Sequence, residues 1–316
     1  MIAGKVQFRL YTGEQTEAEA EIDDLEFPAG EFLVARSVRL ADGTELRQHR
    51  PASGPQRREG YERLDNEILA GRRLCEAVGW GGYPLELARL HGDEATSAEP
   101  YTLFHPYLGE PLREAGRHII GDEFDSFVTG LLTGLCWLAG AGLAHRALGL
   151  DTVRWDGRRR QVQITDFSRS TVFGVPRTPV TGTPGWISRE QRAGTAYGTV
   201  GPRDDMWVAG RLIFFVRNQG EDLTERGQIA SSGLDELFGG LFNRVIGPPE
   251  GRPTAWDLLN DGLGRRAPVP HPADGRTLIA SRERFMLARQ QRHPDAAEPP
   301  GFNHDLDWGG DHGPGG

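Results

Sequence analysis

Lysine is all but absent from this chain of 316 residues: among 36 lysines and arginines, Lys5 is the single lysine. Any chemistry that calls for an ammonium group elsewhere must therefore do without it or use an arginine or histidine. Cysteine is scarce as well. Cys75 and Cys136 cannot form a disulfide framework, and both sit in apolar-periodic contexts that mark them as small core residues. No run approaches the roughly 18 apolar residues of a membrane span, and the N-terminus lacks the apolar stretch of a secretory leader. The expectation is a soluble, cytoplasmic protein. A net charge of −9 argues against a broad phosphate-binding face, so nucleic acid and membrane are not expected partners.

What is present reads as ordinary globular composition, 37% hydrophobic and 26% charged, with enough chain for a substantial core. The first fifty residues alternate as strands do, over Val6–Leu10 and Phe32–Arg39, with Asp42-Gly43 as a hairpin turn before Glu45–His49. Residues 50–60 read as an exposed loop. Helical spacing follows from Tyr61 to Val78, with Leu64, Ile68 and Cys75 on one face and Glu67 among them. A strand pair is expected over Leu85–Leu90 and Tyr101–Phe104. Phe124, Phe127, Val128, Leu131, Leu132 and Leu135 then mark a long buried helix. Short strands are expected around Thr152–Trp155 and Gln161–Ile164. Met206–Val216 is apolar nearly all round, which predicts a helix deep in the core, and Leu234–Val245 and Thr254–Leu263 are further helix candidates.

Two segments carry the most chemistry: His145-Arg146-Ala147-Leu148-Gly149-Leu150-Asp151-Thr152, and then Asp166-Phe167-Ser168. Their order and spacing resemble the catalytic loop and metal-binding turn of the protein kinases. Gly182–Gln191 is similar to the end of an activation segment, Asp205–Gly210 to the start of the helix that anchors it. Arg252 resembles the late arginine that pairs with the segment's glutamate, here Glu190. The resemblance runs over roughly residues 25–265 and is nearest to a bacterial, actinobacterium-like Ser/Thr kinase homologue. It implies an α+β, two-lobed protein-kinase-like fold with a strand-rich N-lobe, a helical C-lobe and a C-terminal extension. The implied divisions are an N-terminal strand extension at 1–24, the N-lobe at 25–106, the C-lobe at 107–265, a helical segment at 266–292 and a disordered tail at 293–316.

The departures from the family pattern decide the expected function. Where kinases place the aspartate that accepts the substrate hydroxyl's proton, this chain has Ala147, and a methyl group takes no proton. Thr152 stands where the family uses an asparagine on the second metal. Over the phosphates, Phe27–Leu33 offers one glycine, Gly30, beside Glu31. The phosphate-binding strand lysine falls at His49, with Arg47 two residues earlier on the same strand face; Glu67 would pair with one of them. Pro106, in the segment Phe104-His105-Pro106-Tyr107 where kinases contact adenine, lacks an N–H.

The expectation is a pseudokinase: a protein-interaction scaffold or allosteric regulator in bacterial signalling, with phosphotransfer absent or severely impaired. The alternative is a divergent Ser/Thr kinase, or an ATP-binding sensor, using Asp166 for magnesium and Asp151 as a substitute base. No cofactor is required, with weak ATP and magnesium binding as the residue of the family's chemistry. Partners would be proteins, such as an active kinase or a phosphatase. The tail residues Phe302, Leu306 and Trp308 are candidates for a recognition segment that orders on binding. The run Arg158-Arg159-Arg160 reads either as a solvated hairpin tip or as a phosphate site. Thr178, Thr181 and Thr183 are available for phosphorylation.

Overall fold

The computed structural model describes residues 2–10, 12–29, 32–54, 57–78, 82–179, 185–194, 198–223 and 231–268. The chain begins with a long hairpin, β1 (Ile2–Leu10) and β2 (Gln15–Ile22), paired antiparallel from Ile2↔Ile22 to Arg9↔Gln15. The short β3 (Phe27–Pro28) leads into a second hairpin, β4 (Leu33–Leu40) and β5 (Glu45–Pro51). Its turn matches the Asp-Gly signal. Gly43 takes a φ of +85°, and the Asp42 carboxylate accepts the Thr44 N–H at 2.8 Å. Helix α1 (Arg57–Val78) follows, then β6 (Leu90–Glu94) and β7 (Tyr101–Phe104).

These strands form one antiparallel sheet in the order β2-β1-β6-β7-β5-β4-β3. A further pairing of β2 with β4, Ala20↔Leu40 to Ile22↔Val38, closes six of them into a barrel. Its lumen is filled by the residues of alternate strand positions: Val6 and Phe8, Ala20, Val38 and Leu40, Leu46, and Leu103. The closure overturns the two-lobed protein-kinase-like fold, with its strand-rich N-lobe and helical C-lobe, that the motifs imply. The hairpin of residues 1–24 is no mere extension. It supplies the two staves that bridge β6 to β4, and the sheet has no open N-lobe form. The remainder of the chain is not purely helical either, since it carries its own three-stranded and two-stranded sheets.

Helix α1 lies against the outside of the barrel. Leu64 and Ile68 pack with Ala29, Leu33 and Ala35 on one side, while Ala70, Leu74, Cys75 and Ala77 join the large core beyond. The helix comes so close to β6 that a Cβ on Gly71 would sit 2.8 Å from Leu90 side-chain atoms. After β7 the chain forms β8 (Glu110–Pro111), α2 (Leu112–Ala115) and α3 (Asp122–Gly140). Helix α3 buries the face Phe124, Phe127, Val128, Leu131, Leu132 and Leu135 read from the sequence. Then come β9 (Leu143–Ala144), β10 (Val153–Asp156), β11 (Gln161–Ile164) and β12 (Thr171–Val172), in sheets β11-β10-β8 and β12-β9. Helix α4 (Arg189–Ala193) opens on a capping box between Ser188 and Gln191. Helix α5 (Met206–Arg217) is buried along nearly its whole surface, as its unbroken apolar composition requires.

Several expectations shift in detail. Leu85–Leu90 forms no strand beyond an isolated bridge at Leu87 and the first residue of β6. The span Leu234–Val245 is two short helices, Leu234–Leu237 and Phe242–Val245, broken at glycines 239 and 240. Thr254 caps a short helix that runs on as a π-turn over Leu258–Gly262. No helix among the described residues is long and apolar enough to cross a membrane.

Candidate functional site

The strand register builds a polar row on the barrel's outer face. Ala35, His49, Thr102 and Asp93 lie directly opposite one another across β4, β5, β7 and β6. Helix α1 covers this row and answers it with charge. Arg72 grips Asp93 through two bonds of 2.8 and 2.7 Å, and Glu67 meets His49 Nδ1 at 3.0 and 3.2 Å. Thr102 donates its hydroxyl to the same Glu67 at 3.2 Å. On the other side of the imidazole, Arg47 Nε donates to Nε2 at 3.0 Å. With Nε2 accepting, the ring proton sits on Nδ1 and points at the carboxylate. Of the two partners expected for Glu67, His49 and Arg47, the carboxylate meets His49, whose two ring nitrogens are engaged by Glu67 and Arg47.

Arg47 occupies the space between this strand and the segment 104–108. Its guanidinium carbon lies 4.4 Å from the Phe27 ring centre and 4.9 Å from that of Tyr107. Burial lowers the Arg47 pKa, and burial, together with the Glu67 charge, lifts the Tyr107 phenol well above its usual range. The backbone of 104–108 has little to offer a planar base. His105 gives its N–H to the Arg89 carbonyl at 3.0 Å, Pro106 has none, and Leu108 gives its own to Gln163 Oε1 at 2.8 Å. Gln163 is a residue that sequence reasoning missed. Its signal is a polar side chain at a strand position whose neighbours Val162 and Ile164 are fully buried.

The loop after β9 is equally committed to structure. His145 is buried, bonds the Thr165 carbonyl through Nε2 at 2.9 Å, and accepts the Ala147 N–H on Nδ1 at 3.2 Å. The Asp205 carboxylate accepts the N–H groups of both His145 and Arg146, at 2.7 and 2.8 Å. Burial pushes the Asp205 pKa up, against the pull of His145 and those two bonds. Arg146, at a φ of +61°, reaches the Thr178 hydroxyl at 3.2 Å and its carbonyl oxygen. Thr152 donates its hydroxyl to the Ala147 carbonyl at 2.9 Å, which turns it inward to brace the loop.

Asp151 is held by Arg113 in a bidentate pair of 2.8 and 2.7 Å. That contact lowers its pKa, the wrong direction for a proton acceptor near neutrality. Asp166 sits in a left-handed backbone conformation, φ +62°, and accepts the Ser168 N–H at 3.2 Å. Asn66 of α1 bonds the Ser168 carbonyl at 2.8 Å and ties this turn to the helix that carries Glu67.

Beyond the loop, Arg252 and Glu190 form a buried pair at 2.6 Å, and Arg177 holds Asp204 at 2.9 and 2.7 Å. The tip of the β10–β11 hairpin is organised by Asp156, which accepts the N–H groups of Arg158 and Arg159 and pairs with the Arg159 side chain at 2.6 Å. Among the described residues no group of three His, Cys, Asp or Glu side chains is arranged to hold a metal ion. Gly30, Glu31, Thr181 and Thr183 lie outside the described residues, as do the helix expected within 266–292 and the tail with Phe302, Leu306 and Trp308. Comparison of the sequence with protein-family models finds no matching family, and comparison with curated proteins finds no match.

Proposed function

We propose that this chain is a catalytically silent relative of the protein kinases, kin by its motifs, that acts through its surfaces as a scaffold or allosteric regulator of other proteins. The observation that carries the reading is the state of His49. The position from which a kinase would hold phosphates is occupied by an imidazole closed between Arg47 and Glu67. Three further facts point the same way. Ala147 supplies no proton acceptor, Asp151 is engaged by Arg113, and Arg47 with Tyr107 fills the space before a segment whose N–H groups are largely spent. Loss of the general base alone removes about 10²–10⁴ in rate. The partners proposed are proteins of a bacterial signalling system, an active kinase or a phosphatase among them.

A second reading, an ATP-binding sensor, is favoured by Asp166 alone, whose carboxylate accepts a single hydrogen bond among the described residues. Calorimetric titration of ATP with and without magnesium separates the two. Absence of saturable binding at millimolar nucleotide supports the scaffold. Magnesium-dependent binding that Asp166→Asn abolishes supports the sensor.

A further inference from the structure

Next to Arg47 the outer face of the barrel opens into a cavity of about 460 Å³. Its floor follows from the register. Asp23, Ser37 and Arg47 lie side by side, with Ser37↔Arg47 paired directly and the Asp23 N–H bonded to the Ser37 carbonyl at 2.9 Å. The small hydroxymethyl of Ser37 leaves open the space that a larger side chain between its neighbours would fill. Arg154 closes the far side, anchored by bonds to the carbonyls of Leu108 and Gly109 at 3.1 and 2.6 Å.

The chemistry of this cavity is unbalanced at its inner end. The Arg47 guanidinium lies over the Phe27 and Tyr107 rings, and its Nε is spent on His49. What remains is the edge carrying the two terminal nitrogens, the fork that suits a carboxylate or phosphate. Arg72, Arg177 and Arg252 each meet a carboxylate within 2.8 Å. Arg47 and Arg154 meet none among the described residues, although both touch the same Tyr107 ring, at 4.9 and 5.9 Å. Three acids line the cavity, Glu21, Asp23 and Glu45, and none forms an ion pair with Arg47 or Arg154 among the described residues: Glu45 pairs with Arg39 at 2.9 Å, and Asp23 accepts the Leu25 N–H at 3.1 Å. Burial lowers both arginine pKa values, and the Arg47 charge lowers that of Arg154 further. The acids that act on these two cations do so without direct contact among the described residues, Glu67 on Arg47 across His49 and Glu110 and Glu114 on Arg154, so an anion between the guanidinium groups would meet both directly.

We infer that this cavity binds a small organic anion, its carboxylate or phosphate group on the terminal nitrogens of Arg47 beside Arg154 and its flat body over Ser37. The volume falls within the range of small-molecule sites, and Pro106 adds apolar wall. The inference goes beyond the reading above and does not depend on it, since neither an adenine nor a triphosphate is involved.

The test uses the full chain and three probes in calorimetric titration: benzoate, phenyl phosphate, and benzamide as the neutral isostere. Saturable binding of benzoate or phenyl phosphate, with benzamide at least about tenfold weaker, is expected from a charge-assisted contact. Arg47→Gln and Ser37→Phe should each weaken that binding by about tenfold or more, the first by removing the fork and the second by filling the floor. Should Arg47→Gln unfold, Ser37→Phe decides, because it leaves both arginines in place. A tripeptide ending in a free tyrosine carboxylate is compared with its amide. Binding of the free acid that is tighter than that of benzoate supports the site and assigns it to a protein chain end instead of a metabolite. Failure of all the anions to bind at millimolar concentration overturns the inference, as does binding that Ser37→Phe leaves unchanged. Neither failure touches the nucleotide titration.

Discussion

A buried glutamate facing an imidazole behaves differently from one facing an ammonium. Glu67 is 1% exposed and has two hydrogen-bonding partners in the row, His49 and Thr102. Replacing the ring by a methyl removes one of these two partners from a buried carboxylate, and such a loss costs about 1–3 kcal/mol. His49→Ala is therefore expected to lower the urea midpoint of unfolding at an unchanged slope. An unaltered midpoint would show that Glu67 does not need the ring. Ala147 gives a complementary prediction. Ala147→Asp places a carboxylate in the loop; on the proposed reading, in which Arg47 and His49 leave no seat for a nucleotide, that base has nothing to act on. Transfer of a labelled γ-phosphate to a Ser/Thr protein substrate should stay at background in this variant. Appearance of transfer would mean that the missing base was the only defect.

At the level of elements, the N-terminal hairpin deserves separate treatment. Val6 and Phe8 fill the lumen against Val38, Leu46 and Leu103, each of which would face water if β1 and β2 were removed. A large apolar side chain is worth about 1.5–3 kcal/mol when buried. Deleting residues 1–24 should thus lower the unfolding midpoint markedly and raise binding of a hydrophobic dye. Equal midpoints and dye binding with and without the hairpin would deny it a structural part. This hairpin is also where the sequence is least legible. Gln15–Ile22 alternates glutamate with alanine, and Ala18 and Ala20 are too small to announce a buried face. Their burial comes from closure of the barrel, a non-local event. Local signals fare better: Asp42-Gly43, the spacing of Leu64 and Ile68, and the apolar run of Met206–Val216 each mark their element. The resemblance leaves Glu67 to pair with either His49 or Arg47, and the structure puts His49 against it. The part played by Arg47 could not be read from the sequence, because it depends on Phe27 and Tyr107 arriving from different parts of the chain.

Across the whole molecule, long-range ion pairs lock loops to helices. Glu190 and Arg252, 62 positions apart, are almost completely buried. Burial raises the Glu190 pKa, but the Arg252 bond and charge outweigh it and hold the carboxyl below its ordinary 4.5. The folded state thus keeps Glu190 ionised at pH values where the unfolded chain takes up a proton. Its stabilisation is full above that ordinary value and is lost as the pH falls through the folded one. Glu190→Gln strands a buried guanidinium, which costs about 3–5 kcal/mol at neutral pH. The gap between variant and parent should narrow as acid protonates Glu190, read from unfolding midpoints between neutral and acid pH. A gap independent of pH would contradict the assignment.

Closure of the His49 ring between Arg47 and Glu67 leaves no free cation at that strand position for a triphosphate. The most direct test is titration of purified full-length chain with ATP, with and without magnesium, by calorimetry. The expected result is no saturation that depends on magnesium at millimolar nucleotide. Magnesium-dependent saturation that Asp166→Asn removes would contradict it, and would show that Arg47 and His49 yield the cleft to a nucleotide after all.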